Sequence, residues 1–240
     1  MHRIPAGASI WVDVAQQLNR ALHDSLALCE PWFGPGSLIL SPCRLRFKVY
    51  AINDTRQGLL KLFEMFRIDK HVLRDAIAND RIEACFQQFA GKSPFLKTTS
   101  DVSTGIAAFH SCADNICIDP VAATATGVAF SQVIATIHEK LVPVLVENMP
   151  VTEFIKRFDK PYTVFYIPKI SEDVAGLLET VGTAMNRLQG CFLIEASDAS
   201  ELNNALAPYL KNIRLASVGS VAFPARLDRA ERLFIIRQSA

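Results

Sequence analysis

The chain has 240 residues, half of them hydrophobic and 20% charged, which excludes a disordered or low-complexity protein and leaves room for one large core or two small ones. Its 25 basic and 24 acidic side chains leave a net charge of +1, too weak a field to recruit nucleic acid or an anionic membrane without a local patch. The longest apolar run, 121–146, is broken by Glu139 and Lys140, short of the roughly 18 to 20 uncharged residues that a membrane-spanning helix needs.

Met1 to Trp11 lacks the basic-then-apolar pattern of a secretory signal, so a cytoplasmic chain is expected. The six cysteines, at 29, 43, 85, 112, 117 and 191, form no CxxC pair and no disulfide-scaffold spacing, which points to reduced thiols. Fifteen phenylalanines against two tryptophans and four tyrosines suggest aromatic packing inside more than a surface stacking platform.

In chain order, Ser9 to Cys29 places Val14, Leu18, Leu22, Leu26 and Cys29 at helical spacing. One amphipathic helix is expected there, ending at Glu30-Pro31, before a turn over Phe33 to Gly36. Ser37 to Ile52 is β-like but interrupted by Pro42; from Arg44 it alternates basic Arg44, Arg46 and Lys48 with apolar Leu45, Phe47 and Val49. Asn53-Asp54-Thr55 can cap a helix over 56–66, and Asp69 a second over 70–89, with Gly91 as its stop. Lys92 to Gly105, dense in Ser, Thr and Lys, reads as the longest polar loop.

Asp119-Pro120 reads as a helix start whose run continues to about Glu147, with a break predicted near Pro143. A short helix over 152–158 leads into alternating strand and helix patterns: strands at 162–168, 191–196, 214–223 and 233–237, helices at 171–188 and 199–211. This alternation implies an α/β fold: a mixed, largely parallel sheet with flanking helices and a helical N-terminal extension. A division near Pro150 would separate a helix-rich part, 1–150, from a βαβαβ part, 151–240; a single continuous sheet is the alternative.

No glycine-rich phosphate loop and no known catalytic signature occurs. The densest chemistry is Phe109 to Asp119, with His110, Cys112, Asp114, Cys117 and Asp119. A catalytic thiol at Cys112 or Cys117, activated by His110, is one reading. Zinc on His110, Cys112 and Cys117 has the wrong spacing for a standard knuckle, so no metal and no cofactor is expected. Small buried side chains feeding a core helix are the plainer account. Glu195, at the end of a strand, borders the place where parallel sheets hold ligands, although Ser197 or Asp198 beside it also reads as a helix cap.

Arg44, Arg46 and Lys48, joined by Arg226, Arg229 and Arg232, could form a phosphate-binding surface, but no nucleic-acid motif supports it. Three functions are therefore expected, in this order. The first is a non-catalytic interaction or accessory protein that self-associates or docks a protein partner. The second is a nucleic-acid-associated protein, and the third a thiol-dependent enzyme.

Overall fold

The structure is a computed structural model that describes residues 6–34, 36–41, 45–78, 81–116, 130–168, 188–196, 200, 213–221 and 231–238. Its elements run α1 (Ala6–Ala21), β1 (Ala27–Glu30), β2 (Val49–Asn53), α2 (Gly58–Ala78), α3 (Ile82–Phe89), α4 (Thr99–Asn115), α5 (Phe130–Leu141), β3 (Val144–Glu147), α6 (Val151–Phe158), β4 (Thr163–Ile167), β5 (Cys191–Ala196), β6 (Ile213–Val221) and β7 (Glu231–Gln238). The seven described strands form one sheet in the order β3-β2-β1-β4-β5-β7-β6. Strands β3, β2, β1, β4 and β5 pair in parallel; β7 runs antiparallel to both β5 and β6. The fold is α/β with a mixed, mostly parallel sheet, as the alternation of strand and helix patterns implies.

Side chains alternate between two apolar layers, as the period of two along a strand requires. Leu28, Ile52, Val164, Tyr166 and Leu193 enter one layer with residues of α1, α2, α4 and α5. Cys29, Ala51, Phe165, Ile167, Phe192 and Ile194 enter the other, against Phe154 and Ile155 of α6. Both faces are covered, which explains why the central strands read as continuous apolar runs and not as alternation.

Four expectations change. The helix over Ser9 to Cys29 stops at Ala21, and Ala27–Glu30 is the interior strand β1. Four residues buried on both faces carry no period that tells strand from helix, and Leu26 and Cys29 fell on the helical spacing by coincidence. Among the described residues of the β-like run 37–52, strand begins at Val49; residues 38–41 form turns inside the apolar layer. The polar loop over 92–105 ends at Thr98, where α4 begins with a reciprocal capping box. Asp101 N–H donates to Thr98 Oγ1 at 3.2 Å, and Thr98 N–H donates to Asp101 Oδ2 at 2.9 Å. The helical run toward Glu147 breaks at Leu141, as expected near Pro143, but it does not resume: Val144–Glu147 is the edge strand β3. The helix start at Asp119-Pro120 and the helices over 171–188 and 199–211 lie outside the described residues, apart from Leu188, which is not helical, and Ser200, which is.

Other expectations hold. Asp69 breaks the helix after Ile68 and caps the next segment, its Oδ1 accepting from His71 N at 2.8 Å and Val72 N at 3.1 Å. Gly91 follows α3 with φ +80°, a conformation that favours glycine. The division expected near Pro150 is a separate matter: that residue lies between β3 and α6, and strands from both sides of it share the one sheet.

Candidate functional site

In parallel α/β sheets, ligands bind beyond the carboxyl ends of the strands, near the point where strand order reverses. Here the order turns between β1 and β4, so the loops after β1 and β2 are the first place to look. They are tied together by side chains. Asn53, buried at the end of β2, donates through Nδ2 to Pro31 O at 3.1 Å and Met149 O at 3.0 Å, and its Oδ1 accepts from Met149 N at 3.1 Å. One amide thereby staples the segments that follow β1, β2 and β3. Phe33 N–H donates to Asn53 O at 3.0 Å, and Asp54 N–H to Glu147 O at 2.8 Å.

Gly34 and Gly36 bracket the turn after β1, and Gly36 has φ +90°. Asn115, at the end of α4, holds both: its Oδ1 accepts from Gly36 N at 2.8 Å and its Nδ2 donates to Gly34 O at 3.1 Å. Below the turn, Glu30 is fully buried. Its Oε2 accepts from Ser37 Oγ at 2.6 Å and its Oε1 from Ile39 N at 2.7 Å. Burial pushes its carboxyl up to about 7, and hydrogen bonds from Ser37, Ile39 and Leu38 only partly offset that.

A cleft of about 550 Å³ opens beside this turn. Phe33 and Gly34 form its floor, Asp54, Arg56 and Gly58 one side, and the α4 residues Ser103, Ala107, His110, Ser111 and Asp114 the facing wall. Asp54 has a double duty. Its Oδ1 accepts from Arg56 N at 3.2 Å and its Oδ2 from Leu59 N at 2.7 Å, which caps α2 and fixes the carboxylate at the cleft. A carboxylate offers about four acceptor positions, and these two bonds occupy two of them. On α4, Ser103 and Thr104 spend their hydroxyls on carbonyls four residues back, at 3.1 and 2.8 Å. Ser111, buried at its Oγ, makes no hydrogen bond.

His110 of the expected thiol pair lies in the cleft wall. Cys112 does not join it: the residue is 1% exposed in the apolar layer between helices, and burial, with the Asp54 charge second, pushes its thiol up to about 12. A thiol so placed stays protonated at neutral pH and packs as a small apolar group. Cys117 lies outside the described residues. No group of three or more His, Cys, Asp or Glu among the described residues is arranged to hold a metal. Glu195, at the end of β5, is buried and accepts from Tyr166 Oη at 2.9 Å.

The expected basic surface does not assemble among the described residues. Arg46 and Lys48 are exposed just before β2, at the amino end of the parallel strands. Arg232 pairs in register with Ala196, at the carboxyl end of β5 and three strands further along the sheet. Arg44, Arg226 and Arg229 lie outside the described residues. The sequence could not show this separation, because it depends on which strand ends face the same way. Asn115 and Asp54 were the residues sequence reasoning undervalued.

Fold and cleft together define an α/β protein with a mixed, mostly parallel sheet and a cleft at the carboxyl ends of β1 and β2. Comparison with models of known families, and with curated proteins, finds no match.

Proposed function

We propose that the cleft binds a nucleoside without a diphosphate, of the S-adenosylmethionine type, and that the chain is a methyltransferase or a binding protein built on that fold. The observation that carries this reading is the strand order β3-β2-β1-β4-β5-β7-β6 with β7 alone reversed among the described strands. That order is the one used by methyltransferases that take their methyl group from S-adenosylmethionine. The step from order to ligand is an analogy of fold, so the site's own chemistry has to support it.

Two features of the site do. Asp54 at the end of β2 offers a fixed carboxylate to a pair of ribose hydroxyls. No helix among the described residues starts at the Gly34–Gly36 turn, so the turn lacks the helix N-terminus that diphosphate-binding turns aim at their ligand. When bound, such a cofactor supplies an electrophilic methyl group. The chain's task is then to hold the acceptor in line with it, which is catalysis by positioning and leaves no nucleophile motif in the sequence.

The test is calorimetric titration with S-adenosylmethionine, S-adenosylhomocysteine, adenosine and NAD. The expected result is binding of the first three, with NAD weaker. Ala107→Phe, at an exposed position of the α4 wall, should fill the cleft and abolish binding without lowering the melting temperature. Absence of binding by both S-adenosylhomocysteine and adenosine, or binding indifferent to Ala107→Phe, would overturn the reading.

A further inference from the structure

The end of the sheet opposite the cleft carries a row of cations. Asn19 Oδ1 accepts from Arg46 N at 2.9 Å, which sets Arg46 beside the last turn of α1 and its Arg20. Lys48 N–H donates to Leu26 O at 2.8 Å, and Leu26 N–H to Tyr162 O at 2.9 Å, which joins Lys48 to the turn before β4 that holds Lys160. A Cβ on Gly190 would lie 2.9 Å from Lys160 O, so Lys160 abuts the start of β5. There Cys191 pairs in register with Arg237, and Arg237 with Arg214. Arg20, Arg46, Lys48 and Lys160 are exposed. The row crosses β2, β1, β4, β5, β7 and β6, and at about 4.8 Å between strands it spans roughly 24 Å. Arg46 and Lys48 thus have cationic neighbours at their own end of the sheet, although Arg232 is not among them.

One pairing in the row is unfavourable by itself. Arg214 and Arg237 stand directly opposite each other on β6 and β7, and like charges so placed destabilise a sheet. The carboxylates at this end do not balance the row. Asp24 has His23 as its partner at 3.1 Å, and both oxygens of Asp159 accept backbone N–H groups, from Gln189 and Gly190. Glu139, near the end of α5, is matched by Lys140 beside it. With Asp13, two turns before Arg20 in α1, six cations meet three carboxylates, a local excess of three in a chain whose net charge is only +1. We propose that this row binds the phosphate backbone of single-stranded nucleic acid, independently of base sequence. A line of cations fits a polyanion of regular charge; over 24 Å one strand of B-DNA presents about seven phosphates. Tyr162, 44% exposed, stands in the middle of the row and offers a ring on which an unpaired base can stack. An anionic membrane or an acidic peptide has no use for that ring. The cleft lies at the other end of the strands, so the inference is independent of the proposed ligand.

Fluorescence anisotropy of a labelled oligothymidylate, titrated with the full chain at about 50 to 200 mM salt, tests it. At about 0.7 per phosphate contact, four contacts give a slope near −3 for log K against log salt. Lys48→Gln and Lys160→Gln should each weaken binding and take about 0.7 off that slope. Tyr162→Ala should weaken binding about tenfold through lost stacking. Tyr162→Leu replaces it if the alanine lowers the melting temperature, and the same weakening is expected. Lys97→Gln, at an exposed position before α4 and outside the row, should change nothing. Polyglutamate and phosphatidylserine vesicles, measured in parallel, should bind more weakly than the oligonucleotide. No binding at the lowest salt overturns the proposal, as does binding with a flat salt dependence. So does binding that the row substitutions leave intact, that Lys97→Gln lowers equally, or that either base-free polyanion matches.

Discussion

Asn115 shows how one side chain can set the shape of a site. Its amide bonds both Gly34 and Gly36 and fixes the turn after β1 against the end of α4. Asn115→Ala strands a turn carbonyl and a turn N–H, and such losses cost about 1–3 kcal/mol. Urea denaturation should show that loss, and ligand affinity should fall with it. Glu30 carries a pH dependence whose sign follows from its shift. Its carboxyl lies near 7 when folded against 4.5 ordinarily, so the folded state holds the extra proton between those values. Its contribution to stability therefore falls as pH rises from 4.5 to 7, by about 3 kcal/mol, and is constant outside that window. Glu30→Gln keeps a hydrogen-bond acceptor and removes the ionisation; urea midpoints measured from pH 4 to 8 should lose this component. The thiols of Cys29, Cys112 and Cys191 are buried, so iodoacetamide should label them at neutral pH only after denaturation.

Among the described helices, α2 and α4 pack most extensively against each other. A methyl group at Gly105 would lie 2.7 Å from Met65 Sδ and 3.2 Å from both Leu62 N and Lys61 C. Alanine gains about 1 kcal/mol in helix propensity. The overpacking outweighs this, because two of those three neighbours are backbone atoms that cannot turn aside. Gly105→Ala should thus destabilise the protein by about 1–2 kcal/mol, read by thermal or urea unfolding. What the sequence revealed of these elements follows their surroundings. Strands β4 and β5 were legible because turn residues bound their apolar runs, and the Asp69 break because its capping chemistry is local. Strand β1 was hidden because its four residues are buried on both faces and lie close behind a true amphipathic helix. Helix α4 was hidden by its solvent face of Ser, Thr and Asp, although Thr98 and Asp101 already spelled its capping box. The cleft was legible only as the fragments His110 and Asp54; their meeting depends on α4 packing on α2, which no spacing records.

The whole molecule is held by pairings that interleave the two halves of the chain. Strand β1 has β2 on one side and β4 on the other, so a cut at Pro150 would deprive the first half of β4 and β5 and the second half of β1. Residues 1–150 and 151–240, produced separately, should each lack native dispersion in an NMR spectrum, whereas the full chain should unfold in one cooperative step. The same topology bears on biosynthesis. Ala27 pairs with Thr163, which is 136 residues further on. At about 5–20 residues per second, β1 waits some 7 to 27 s after its own synthesis for that neighbour. During that interval the nascent chain presents an apolar strand edge to whatever chaperone attends the ribosome, and an interior strand of the finished sheet is its most vulnerable segment while it is being made.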